Sequence, residues 1–213
     1  MIKYPRTPHL PWSNFSSDDT VIQHLQDVEV VVTEKLDGEN TTMYCDYTHA
    51  RSLSSGNHPS RTWVKNFWAG IRHQIPPGWR ICGENVYAKH SIPYHDLRSY
   101  FYGFSVWDSS NTSLNWDSTQ ELLHSINIPT PATLYRGPFD PKALQALAKS
   151  LDTSTKEGYV VRPTREFHYS EFNHVVAKWV RPNHVQTNKH WSTQPVIPNK
   201  LQTLPQPQEK NTH

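Results

Sequence analysis

At 213 residues the chain is long enough for one domain with its own hydrophobic core and hardly long enough for two. Its formal charge of +2 carries no net basic signature, so contact with nucleic acid would have to come from uneven placement of charge. Cys45 and Cys82 lie far apart with no CxxC pair and read as reduced thiols rather than a disulfide or zinc site. With no apolar N-terminal signal segment, and no run near the roughly 20 residues of a membrane span, a cytoplasmic protein without a membrane partner is expected.

Residues 1–27 read as an N-terminal arm, irregular and rich in Pro and Ser up to position 20, then a short helix near 21–26. The β-branched run VEVVVTEKL at 28–36 predicts a strand, and Asp37-Gly38 after it is a turn signal. NTTMYCDYTHA reads as a second strand, so the two form an expected hairpin with Lys35 close to its bend. A polar loop at 53–61 leads to RTWVKNFWAGIRHQI, where Trp63, Phe67 and Ile71 recur at helical spacing until Pro76 and Pro77 stop the pattern. Residues 79–88 and 99–108 predict strands. Helices are expected at 117–125, with Asp117 or Ser118 as N-cap, and at 140–151, with Asp140 as N-cap and Pro141 at the first turn. The last strands are placed at 157–163 and 174–181. Residues 191–213, rich in Pro, Gln, Thr and Asn, read as a flexible tail. The whole predicts an α+β fold of antiparallel sheets flanked by a few helices, with its main domain at 28–190.

The chemistry begins at Glu34-Lys35-Leu36-Asp37-Gly38-Glu39-Asn40. A lysine at a strand end beside a tight turn presents its amine where a phosphate can approach, and such an amine becomes a nucleophile only where burial, cations or a metal favour its neutral form. Taken alone the tetrapeptide Lys-x-Asp-Gly is weak, and an exposed lysine in an ordinary hairpin would carry it equally well. Further along the chain come Arg51, Glu84 in Gly-Glu-Asn, Phe104 in YGFSVWD, Glu157 in EGYVVR and Lys178 in AKWVR. There is no GxxxxGK[ST] phosphate loop and no HExxH pair.

This ordered set resembles the motifs of the covalent nucleotidyltransferases, the superfamily of RNA ligases, DNA ligases and mRNA capping enzymes. The phrases EKLDGENTT, GENVYAKHSIPY, YGFSVWD, EGYVVR and AKWVRPNH are most similar to phage type-2 RNA ligases and their small bacterial relatives, over about residues 28–184. The resemblance implies an ATP-grasp-like adenylation domain in which Lys35 attacks the α-phosphate of ATP and becomes lysyl-AMP. It implies that Glu34 accepts from the adenine amino group, Phe104 stacks on the ring and Arg51 holds phosphate or the ribose edge. Glu84 and Glu157 would bind ribose hydroxyls or position a hydrated Mg²⁺ or Mn²⁺, hard cations that prefer oxygen ligands. Lys178 would neutralise the α-phosphate, and Asp37 and Asn40 would shape the surroundings of the nucleophile.

One departure is plain. Many relatives end their last motif in Lys-x-Lys, whereas here Val180 follows two after Lys178; Arg181 could replace the missing cation only if a bulge turned it to the same face. His90, His95, His184 and His190 are candidates for phosphate contact or ordinary loop histidines. Arg61, Lys65, Arg72 and Arg80 read equally as an RNA-facing patch or a solvated helix side. Only about 30 residues follow the last motif, so a stand-alone catalytic domain is expected, joining RNA 3′-OH and 5′-phosphate ends in RNA repair and gripping RNA weakly or through a helper protein. The rival readings are a DNA ligase, a capping-type guanylyltransferase, and an RNA-end-binding module without turnover.

Overall fold

The computed structural model describes residues 1–13, 20–53, 56–182 and 195–203. In β1 (Glu29–Lys35) four consecutive residues, Val30 to Thr33, are fully buried. A strand achieves that only with neighbours on both edges and cover on both faces. β1 is accordingly central in a four-stranded antiparallel sheet of order β10 (Ala177–Val180), β8 (Gly158–Pro163), β1 and β7 (Thr133–Pro138). Register places Lys35 opposite Gly158, and thus next to Glu157, with Lys178 opposite Val160.

The second sheet has the order β3 (Thr48–Ala50), β2 (Glu39–Met43), β4 (Arg80–Asn85), β5 (Phe101–Trp107), β6 (Thr112–Ser113), β9 (Phe167–His168). Asn40 lies opposite Glu84 in this sheet. Helix α2 (Thr62–Ile71) buries Val64 and Ile71 in a core with Met43, Ile81, Phe101 and Val106. Leu123 of α3 (Trp116–Ser125) joins the same core. Leu144 of α4 (Pro141–Ser150) and Phe172 of α5 (Phe172–Val175) pack with Val30, Trp107 and Tyr159 in the other main core. The α4 N-cap is Asp140, whose carboxylate accepts from the amides of Lys142 and Ala143, as expected for Asp before Pro. Helix α1 (Thr20–Leu25) packs against α5. Among the described residues no helix is long and apolar enough to cross a membrane.

The fold is the α+β arrangement expected, with several differences of detail. β1 and β2 do not form a hairpin: Asp37-Gly38 carries the chain from one sheet to the other, because β1 takes both its partners from later in the sequence. The expected second strand divides at Tyr44–Tyr47, where the Tyr44 amide donates to the Tyr47 carbonyl at 2.8 Å. Strand β7, a TLYRGP segment with intermediate or exposed residues, was not visible in the pattern. The N-cap of α3 is Asn115, whose side chain accepts from the Ser118 amide at 2.9 Å, in place of Asp117 or Ser118. Residues 174–176 belong to α5 and its exit, not to the final strand.

Residues 8–10 and residues 195–203 are held to the body. Leu10 is fully buried, its amide donates to the Lys178 carbonyl at 2.8 Å, and the Lys178 amide donates to the Pro8 carbonyl at 2.9 Å. Residues 195–203, placed by composition in a flexible tail, lie along residues 86–100. Asn199 is 4% exposed, donates from Nδ2 to the Val86 carbonyl and accepts from the Tyr94 amide. The rest of that tail lies outside the described residues.

Candidate active site

Both sheets contribute to a cavity of about 910 Å³. From the first sheet come Thr33, Glu34 and Lys35 at the end of β1, Val160 and Arg162 of β8, and Lys178 of β10. From the second come Glu39 and Asn40 of β2, Arg51 just past β3, Glu84 of β4 and Phe104 of β5. Period-two alternation sets Val160 and Arg162 on the same face of their strand, and the β2–β4 register sets Asn40 opposite Glu84.

At the centre, Lys35 Nζ donates to Glu157 Oε2 at 2.5 Å, the lysine side chain 22% exposed and the glutamate 6%. Burial pushes this amine down, but the carboxylates of Glu157 and Glu84 outweigh it and hold the amine above its ordinary value. Burial, and next the Lys35 charge, bring the Lys178 amine down to about 8 against the pull of Glu157. Burial pushes the Glu84 carboxyl up to about 8; Lys35 opposes this, while Glu157 and Asp37 reinforce it. Four mutually sensitive groups therefore share one place, two of them titrating close to neutrality. Glu34 is fixed by an ion pair with Lys156 at 2.7 Å.

The remaining candidates separate by position. Arg51 is exposed at the cavity edge, its amide donating to the Asn40 carbonyl. Asn40 lines the cavity with its Oδ1 buried and unpartnered among the described residues. Phe104 lines it too, with Tyr4 edge-on at 5.3 Å. Glu157 sits behind Lys35 rather than on the cavity wall. Asp37 faces away: its Oδ2 accepts from Ser91 N and Oγ and from Ile92 N, at 2.7, 2.6 and 2.9 Å, and its amide donates to Tyr94 OH. It shapes the site by fastening residues 91–94 beneath the Lys35 turn. Arg181 donates to the Thr153 carbonyl and the Ser91 hydroxyl and does not line the cavity, since the strand runs on without the bulge that would turn it inward.

Of the histidines, His90 lines the cavity and burial lowers its pKa; His95 does not line it, and His184 and His190 lie outside the described residues. Each of the four basic residues near α2 has a contact of its own. Arg61 forms a two-point ion pair with Glu39, Lys65 donates to Asn57, Arg72 lies over Trp68, and Arg80 is buried over Trp107.

Sequence reading missed Arg162. Its guanidinium donates to the Phe104 carbonyl, lies 5.6 Å from the Phe104 ring and is 7% exposed, with Nε unpartnered among the described residues. An arginine in the apolar run YVV-Arg was the available signal. It also missed that the N-terminal arm brings Lys3, Tyr4 and Arg6 to the cavity.

Among the described residues no group of three or more His, Cys, Asp or Glu could hold a metal ion directly. Of the three cavity-lining carboxylates, Glu34 and Glu39 are ion-paired, while Glu84, whose charge burial disfavours, fits a divalent cation held through water.

Two antiparallel sheets closing on a lysine–carboxylate cavity make a fold shared with ATP-dependent ligases of known structure. In fold the chain is similar to an archaeal ATP-dependent RNA ligase, at TM-score 0.58 and 19% identity over 84% of this chain and 48% of that one. It is also similar to a putative ATP-dependent DNA ligase from Aquifex aeolicus, at 0.56 and 20% over 84% and 50%. A Naegleria gruberi RNA ligase variant with ATP and Mn matches at 0.54 and 15% over 84% and 59%. The chain thus spans about half to three-fifths of the length of these proteins. Comparison with curated proteins gives no match. A family model described as RNA ligase matches residues 28–180, and the chain belongs to that family.

Proposed function

We propose that the chain is the catalytic domain of an ATP-dependent RNA ligase that carries AMP on Lys35 and joins RNA 3′-OH and 5′-phosphate ends, a reaction suited to RNA repair. The observation that carries this reading is the constellation at the end of β1. One lysine amine is held at 2.5 Å by a buried carboxylate, beside a second carboxyl and a second amine that titrate near neutrality.

In the first step Lys35 Nζ bonds to the α-phosphorus of ATP, the bond to the β-phosphate oxygen breaks, and pyrophosphate leaves. Glu157 and Glu84 favour the ammonium form of Lys35, so a cation beside these carboxylates has to offset them before Nζ sheds its proton and attacks; Glu157, already its hydrogen-bond acceptor, is placed to receive that proton. Lys178, once an anionic phosphate favours its ammonium form, neutralises charge developing at the α-phosphate. A divalent cation held through water at Glu84 would add charge neutralisation and weaken water's competition for the phosphates. Phe104 and Arg162 offer a ring face and a buried guanidinium against which a base or ribose can settle. The AMP then passes to a 5′-phosphate, and a 3′-OH displaces it.

The test is incubation with α-³²P-ATP, and separately GTP, with Mg²⁺ or Mn²⁺, followed by a denaturing gel. ATP label on the wild type that is lost from Lys35→Ala and kept, though weakened, in Lys178→Ala supports the reading. GTP label moves it to capping chemistry. Labelling that proceeds to joined DNA but not RNA moves it to a DNA ligase, and absence of label from AMP-free protein leaves an RNA-end-binding module.

A further inference from the structure

We propose that Arg6 is a phosphate-binding residue of this site, delivered by the N-terminal arm to hold the β- and γ-phosphates of the nucleotide, and that it supplies the cation missing two positions after Lys178. The inference rests on the proposed function and deepens it.

The last motif lacks its second cation on this side. Val180 is 1% exposed in the core, and Arg181 is spent on Thr153 and Ser91 away from the cavity. Arg6 stands on the cavity wall instead, with no ion pair among the described residues. It is close enough to Lys178 that its charge helps depress that amine, as does Arg51. Arg6, Arg51 and Lys178 therefore line one cavity, both arginines act on the Lys178 amine with Glu157 opposing them, and none of the three forms an ion pair among the described residues. Such an arrangement is unfavourable until an anion joins it.

The arm fixes Arg6 on both sides. Before it, Tyr4 is buried between Phe104 and Phe172, at ring distances of 5.3 and 5.1 Å, and the Lys3 carbonyl accepts from Tyr169 OH at 2.7 Å. After it, Pro8 and Leu10 exchange backbone hydrogen bonds with Lys178 itself, and Trp12 Nε1 donates to Tyr159 OH at 2.8 Å. Thus the strand that presents Lys178 also holds the backbone that presents Arg6. The arginine is exposed between two anchors: its fork can meet phosphate oxygens in two-point fashion with little ordering of backbone. The chemistry recognised is a polyphosphate; the 5′-phosphate of an RNA end is the other source of the same group.

The experiment compares wild type, Arg6→Gln and Arg6→Lys. Binding of inorganic tripolyphosphate is read by calorimetry, the KM for ATP and kcat by rate of AMP labelling, AMP transfer by appearance of adenylated RNA from a 5′-phosphate strand, and joining by use of RNA supplied already adenylated. Because Arg6 is exposed, thermal unfolding should be unchanged. The expected result is about a tenfold loss of tripolyphosphate affinity and a similar rise in KM for ATP in Arg6→Gln, with kcat little changed. Partial recovery in Arg6→Lys and normal joining of adenylated RNA are expected with it. Unchanged tripolyphosphate binding overturns the proposal. So does normal labelling with failure of AMP transfer to a 5′-phosphate end, which would assign Arg6 to the RNA. If the wild type takes no label, the ligase reading fails, while the tripolyphosphate measurement still decides whether Arg6 binds polyphosphate.

Discussion

At the scale of single residues the site is built on charges that the fold disfavours. Glu84 has its carboxyl pushed from an ordinary 4.5 to about 8, chiefly by burial. Between those values the folded protein keeps a proton that the unfolded chain has released, so this group lowers stability as pH rises through the interval. Lys178 runs the other way: its amine falls from 10.5 to about 8, so stability from this group rises between about 8 and 10.5. Glu84→Gln removes the first slope. At pH 8 the variant should unfold at higher temperature than wild type, the two converging towards pH 5, while AMP labelling falls at least about tenfold. Thermal melts at pH 5, 6.5 and 8 alongside the labelling gel measure both; a difference in Tm that is the same at all three values would show that the Glu84 carboxyl is not raised in the folded protein. Much of this centre was legible in the sequence, because Lys35, Glu84, Phe104 and Lys178 each stand in a short phrase with a fixed order. Asp37 was legible only as a neighbour of the nucleophile. Its carboxylate binding of Ser91 and Ile92 depends on a loop more than fifty residues away, which no local pattern discloses.

Secondary-structure elements explain why the nucleophile sits where the sheets meet. β1 ends at Lys35, and four residues later β2 begins in the other sheet. Turn chemistry at Asp37-Gly38 was readable, but the partner of each strand was not: a hairpin signal specifies a bend and leaves open where the following strand pairs. The edge strand β7 escaped notice for a related reason, since Gly137, Pro138 and its exposed side chains give neither an apolar run nor alternation. Gly38 makes the crossing possible. A Cβ there would overlap the Asn85 carbonyl oxygen and come within 3.0 Å of Val86 Cγ1. Backbone cannot yield as a flexible side chain can, so β4, which carries Glu84, would have to move. Gly38→Ala should therefore cost about 1–3 kcal/mol of stability and reduce AMP labelling by more than stability alone explains. Urea unfolding with labelling at 4 °C, where the variant remains folded, separates the two effects. Full activity at that temperature would mean the crossing tolerates a side chain.

For the whole molecule, sequence composition predicted the contents of the fold better than its boundaries. The termini read as an arm and a tail because proline-rich polar segments cannot bury enough apolar surface to fold alone. Yet such segments can lie along an existing edge and satisfy its hydrogen bonds, and residues 195–203 do so. The Lys89 and Leu97 amides donate to Ile197 and Lys200, and the Asn199, Lys200 and Gln202 amides donate back to Tyr87, Tyr94 and Leu97. This strap steadies Tyr94, whose hydroxyl accepts from the Asp37 amide, and through it the turn beyond Lys35. Ordering nine residues offsets most of the gain, so removing residues 195–213 should cost only about 2 kcal/mol, or about 4–8 °C in Tm. Asn199→Ala should cost nearly as much alone, because it leaves the buried Val86 carbonyl and the part-buried Tyr94 amide without the Asn199 side chain as partner. Both changes should also slow AMP labelling at temperatures where the protein is folded, since the strap reaches Lys35 through Tyr94 and Asp37. Scanning calorimetry of the two variants, with labelling rates at 15 °C, is the measurement. A truncated protein with unchanged Tm and rate would show that the strap merely rests on the surface, and that the loop holding Asp37 is rigid without it.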